Sequence, residues 1–166
     1  MTADAKQIGF VGADDVRDLE ELLHDLVEGA RIRFAVIIDR AGRALASAGE
    51  PDGLDQTAFA SLAAADFAAS DRLAALLGEE EFATLYHHGD ERSMFLADIG
   101  GAAILAVLFD TRTTLGMVRI LTRSLIPRLA ACLDRIAERG PSGQVVQIEP
   151  DWAAEAESEI DRLFSE

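Results

Sequence analysis

The stretch Phe34-Ala35-Val36-Ile37-Ile38-Asp39-Arg40-Ala41-Gly42-Arg43-Ala44-Leu45-Ala46-Ser47-Ala48 decides the fold of this chain. Residues 32–39 are rich in β-branched side chains, which suit a pleated surface and predict a strand. Apolar residues occupy both parities of it, Phe34, Val36 and Ile38 on one and Ala35 and Ile37 on the other. Alternate strand residues face opposite sides, so this strand needs cover on both faces and must be central. Arg40-Ala41-Gly42 reads as a turn and residues 44–48 as a second strand.

Working outward toward the N-terminus, Val16, Leu19, Leu22, Leu23, Leu26 and Val27 recur at helical spacing, with Asp14 expected as N-cap and Gly29 as stop. Residues 1–12 form a short mixed lead-in. Toward the C-terminus, a loop with Pro51 and Gly53 precedes a helical pattern over residues 55–77, closed by Gly78. Strands are expected at 84–88, 93–97 and 102–109, the last an almost continuous apolar run. A third helix runs from Leu115 to about Arg139, with Pro127 inside it as a kink or a late start. The expected order is α-β-β-α-β-β-β-α in residues 13–139, an α+β fold. It makes one five-stranded, mostly antiparallel sheet with helices on both faces. Residues 140–148, opening Gly-Pro-Ser-Gly, are a linker, and residues 149–166 an acidic amphipathic C-terminal helix.

At 166 residues the chain fits a single domain. Thirty acidic against fifteen basic residues give a net charge of −15, which repels phosphate backbones and anionic lipid. Nucleic acid and membrane insertion are therefore poor expectations. The single Cys132 suits a reducing compartment such as the cytoplasm and reads as a buried structural thiol. No glycine-rich loop ends in Gly-Lys-Ser/Thr. His87 and His88, adjacent on a strand, point to opposite faces and cannot chelate together, and His24 lies on the polar side of the first helix. Catalysis, a metal site and a cofactor are not expected.

Two segments ask for more than a solvated surface. At 100° per residue, Phe59, Leu62, Ala63, Asp66, Ser70, Leu73 and Leu77 of the middle helix share a face, expected against the sheet. Asp66 would there be a carboxylate among apolar groups, in need of a hydrogen bond or a place at a dimer rim. The opposite face would carry Ala60, Ala64, Ala68 and Ala75, with Ser61, Asp71 and Arg72 beside them. Alanine is the best helix former, which is one explanation; a surface that another protein approaches closely is the other. In the tail, Trp152, Ala156, Ile160, Leu163 and Phe164 form an apolar stripe among seven acidic residues and one basic. Such a stripe either docks in a partner's groove or folds back on its own domain.

Taken in order, Val36 to Gly42, Thr57 to Leu62 (Thr-Ala-Phe-Ala-Ser-Leu), Gly78-Glu79-Glu80-Glu81-Phe82 and Phe109 to Arg119 resemble the roadblock (dynein light chain) family in its bacterial, MglB-type branch. The ending Ile160-Asp161-Arg162-Leu163-Phe164-Ser165-Glu166 resembles that branch's acidic tail. The resemblance implies a cytoplasmic homodimer without an active site, joined edge to edge into one sheet with its middle helices side by side. It implies that those helices bind a Ras-like, MglA-type small GTPase and stimulate GTP hydrolysis by repositioning the GTPase's own switch residues, while the tail tunes binding or nucleotide exchange. Carried over by position, Ala60, Ala64, Ala68, Asp71, Arg72 and Ala75, with Trp152, Ile160, Leu163 and Phe164, would contact the GTPase. Cell polarity, gliding motility and concentration at a pole follow from the family alone. Asp66, where asparagine is usual, and Asp71-Arg72, where small residues are common, depart from the pattern. A roadblock scaffold that binds a GTPase without activating it is the alternative, and a small-molecule sensor domain a third reading.

Overall fold

The computed structural model describes Ile8 and residues 11–139. Helix α1 (Ala13–Ala30) is followed by β1 (Phe34–Asp39), β2 (Ala44–Gly49), α2 (Gln56–Leu77), β3 (Thr84–His88), β4 (Ser93–Ile99), β5 (Ala103–Phe109) and α3 (Leu115–Glu138). The five strands form one sheet in the order β2-β1-β5-β4-β3, with every neighbouring pair antiparallel. All six residues of β1 are buried, with Phe34 opposite Leu108 and Asp39 opposite Ala103.

The two parities of β1 feed two cores. Ala35 and Ile37 point, with Leu105 and Val107, into a cluster with Leu19, Leu23, Leu129 and Leu133 of α1 and α3. Phe34, Val36 and Ile38 point the other way, with Ile104 and Ala106, against Ala60, Ala63, Ala64 and Phe67 of α2. The sheet therefore lies between a two-helix layer and a single helix. Ile8, within the segment read as a lead-in, is buried in the larger cluster.

Helix ends are set locally. The Asp55 carboxylate accepts the Ala58 N–H at 3.0 Å to start α2, and Gly78, at φ 80°, turns the chain away at its end. Two expectations about α1 are corrected. Its N-cap is Gly12, not Asp14, because Asp15 reaches back to accept the Gly12 N–H at 3.0 Å. Its last residue is Ala30, since Gly29 stays helical and Arg31 adopts the left-handed conformation that caps it. Pro127 sits inside one continuous α3, whose N-cap Thr114 accepts the Met117 N–H at 3.2 Å.

The β1–β2 turn is built around Asp39, which is 4% exposed. Its Oδ1 accepts the N–H groups of Ala41 at 3.0 Å and Arg43 at 2.8 Å. Gly42 takes φ 87° in this turn, and a Cβ there would sit 3.0 Å from the Ser61 Cα. The turn thus packs directly under α2 and fixes where that helix lies. No helix among the described residues is long and apolar enough to cross a membrane.

Candidate interaction site

Helix α2 is apolar on nearly every side, and its packing determines which side is offered to other molecules. The face against the sheet is Ala60, Ala63, Ala64, Phe67, Ser70 and Ala74. Ala60 and Ala64, read from the sequence as part of an outward ridge, are 1% and 6% exposed and belong to the core. Conversely Leu62, Leu73 and Leu77, expected inward, are 71%, 57% and 73% exposed, as is Leu76 at 83%. The reason is steric: small residues let the helix lie close to the sheet, and Phe67, with Phe59 at the margin, fills the remaining gap.

The outward leucines have a direction. Leu62, Asp66, Ala69, Leu73 and Leu76 succeed one another at steps of four and three, a single stripe on a helix. Within it Asp66, half-buried, bonds to Nε2 of His87 at 2.7 Å, and His87 belongs to β3. The stripe accordingly leans toward the β3 edge of the sheet. That strand is last in the order, so one side of its backbone has no partner strand among the described residues, and most of its side chains are exposed. An apolar stripe of this size beside an open edge marks a contact surface.

The other flank of α2 faces the β1–β2 turn. Ala68, Arg72 and Ala75 are exposed there. Asp71, expected on the docking surface, is partly exposed and also reaches toward the β1–β2 turn. It accepts from Nη1 of Arg40 at 3.2 Å, while Arg40 also bonds to Asp98 and its guanidinium carbon stands 5.0 Å from the Phe67 ring centroid. This cation–π and ion-pair cluster ties α2 to the turn and to β4. Trp152, Ile160, Leu163 and Phe164 lie outside the described residues.

The remaining candidates are structural. Cys132 is partly buried against the α1/α3 core, not fully buried as expected, and Nη2 of Arg135 lies 3.0 Å from its Sγ. His88 turns away from His87, with Nδ1 at 3.1 Å from Ser93 Oγ. Among the described residues no three His, Cys, Asp or Glu side chains converge on a common metal position. Asp110, just past β5, is held to about pKa 2, first by the Arg112 N–H at 3.0 Å and then by the guanidinium groups of Arg112 and Arg33.

A helix on one face of an antiparallel five-stranded sheet, two on the other, and an exposed apolar stripe at the open edge define an assembly module. The chain belongs to the Roadblock/LC7 domain family, whose model matches residues 18–109. Its structure is similar to that of Myxococcus xanthus MglB, at 31% identity and a TM-score of 0.68 over 71% of this chain and 96% of that one. It is also similar to the gliding protein MglB of Thermus thermophilus, at 30% identity and 0.70 over 80% and 97%. An MglB described with a tetrameric arrangement matches at 28% identity and 0.73 over 78% and 96%. No curated protein matches the sequence.

Proposed function

We propose that this chain is a homodimeric, non-catalytic regulator of an MglA-type, Ras-like small GTPase. Two copies pair through the leucine stripe of α2 and the free edge of β3, so that two α2 helices lie side by side over a continuous sheet. The observation that carries this reading is the exposure of Leu62, Leu73, Leu76 and Leu77 next to an unpaired strand in a chain similar to MglB. Apolar surface of that extent is covered in a stable soluble assembly.

The paired helices then present their outer surface, including Ala68, Arg72 and Ala75, to the GTPase. GTP hydrolysis depends on positioning water and on stabilising charge that develops on the phosphates. A protein that binds the competent arrangement of the GTPase's switches better than the idle one lowers that barrier without contributing a reacting group. A thousandfold acceleration needs about 4 kcal/mol of such preference, within reach of an interface burying roughly 1,600 Å². Ala68 and Ala75 allow close backbone approach, and Arg72 adds an exposed cation to the same surface. Trp152, Ile160, Leu163 and Phe164 of the tail add contacts that tune binding or exchange.

The test is phosphate release from a GTP-loaded MglA-type GTPase of the same genome, with and without this protein. Stimulation by the wild type and its loss in Ala68→Arg support the proposal. Binding without stimulation makes the protein a scaffold, and absence of both defeats the reading.

A further inference from the structure

The layer opposite α2 leaves part of the sheet uncovered. Five strands at about 4.8 Å spacing put the edge axes roughly 19 Å apart, while two packed helices stand only about 8–10 Å apart. Helix α1 lies over β1 and β2, and α3 over β4. The β3 end of this face is therefore open, and between it and α3 runs a groove of about 730 Å³. Phe95 and Ala97 of β4 form its floor with Thr122 of α3. Thr122 is 2% exposed, and its Oγ1 has no hydrogen-bond partner among the described residues. Along the α3 wall stand Ile120, 67% exposed, and two exposed cations one turn apart, Arg119 and Arg123. Neither cation forms an ion pair among the described residues. Asp98, the acidic residue of the lining, is already bonded to Arg40 and accepts the Gly101 N–H at 2.8 Å.

We propose that this groove takes the chain's own acidic C-terminal segment, residues 149–166. Three properties match. The segment places Trp152, Ala156, Ile160, Leu163 and Phe164 at the spacing of one helical stripe, which suits an apolar floor. It carries seven acidic residues against one basic, which suits Arg119 and Arg123. Its tether is long enough: Arg123 lies about 24 Å back along α3 from Arg139, and nine linker residues span up to about 30 Å. A helix of 18 residues is about 27 Å long and fits alongside α3. The groove holds the segment in the GTPase-free protein, where the stripe that the proposed function gives to the GTPase is not otherwise engaged, and the test contains no GTPase.

Trp152 is the only tryptophan, so its fluorescence reports the segment directly. In the full-length protein its emission is expected to be blue-shifted and shielded from acrylamide relative to a free 149–166 peptide. Ile120→Glu, and separately Arg119→Glu with Arg123→Glu, should return both readings to those of the peptide. All three positions are exposed, so circular dichroism should show an unchanged fold. Salt approaching 1 M, where the Debye length is about 3 Å, should weaken the shielding. Leu73→Asp on α2 should leave Trp152 unaffected. Peptide-like emission in the wild type, shielding that survives both groove variants, shielding lost in Leu73→Asp alone, or shielding that vanishes on dilution would each overturn the proposal.

Discussion

Leu73→Asp is the most informative single perturbation of this molecule, because the residue is 57% exposed within the apolar stripe formed with Leu62 and Leu76. Complete burial of a leucine side chain stabilises by roughly 1.5–3 kcal/mol, so covering the exposed part in a dimer is worth about 1–1.5 kcal/mol per copy. Aspartate forfeits that gain and places a carboxylate among Leu62, Leu76 and Leu77, costing at least about 1–3 kcal/mol more. Symmetry doubles the effect, giving about 4–9 kcal/mol per dimer. At 1.4 kcal/mol per tenfold, the dimer dissociation constant rises by at least about a thousandfold. Sedimentation equilibrium over a concentration series measures it, with thermal denaturation of the dilute monomer as the control for folding. The expected result is a folded monomer. A variant that dimerises as tightly as the wild type would place the seam elsewhere and remove the leucine stripe from the proposed function.

Arginine at positions 64 and 68 should give opposite outcomes. Ala64→Arg forces a long cation into the α2 core and should destabilise folding by several kcal/mol, read as a lost or lowered thermal transition; Ala68→Arg should leave the melting temperature and the dimer intact while abolishing GTPase stimulation. Gly49→Ala should destabilise by more than about 1 kcal/mol in urea titration, since φ is 90° there and the added Cβ meets the Arg33 carbonyl. The lowered pKa of Asp110 contributes stability that is complete above its unfolded value and is lost as pH falls toward about 2. Asp110→Asn should flatten that acid limb, by about 1 kcal/mol after solvent screening around the half-exposed guanidinium groups.

Element order and most boundaries were legible in the sequence because each rested on a local signal. The double parity of Phe34 to Ile38 required a central strand, and Asp55 and Gly78 bracketed α2 correctly. The facing of α2 was not legible. Leu62, Leu73 and Leu77 looked like core, and Ala60 and Ala64 like surface, because periodicity registers apolar character and not what covers it. A residue awaiting a second copy carries the same pattern as one buried in its own chain. The absence of Lys and Glu throughout residues 56–77 was the available signal, since a helix without a charged face has no side meant for water. The bond of Asp71 was not legible either: its partner Arg40 lies 31 residues away, and the two meet only when the turn folds beneath the helix. The α3 groove depends on how far two helices reach across five strands, which no local pattern encodes.

The outermost strand carries a further consequence. Thr84-Leu85-Tyr86-His87-His88 holds no proline, lysine, arginine or carboxylate, the usual guards against promiscuous strand addition. If two copies pair as proposed, a copy without its mate keeps this template exposed, open to mispairing and aggregation. Assembly of that kind would double as quality control, with chains produced faster than they pair the first to precipitate.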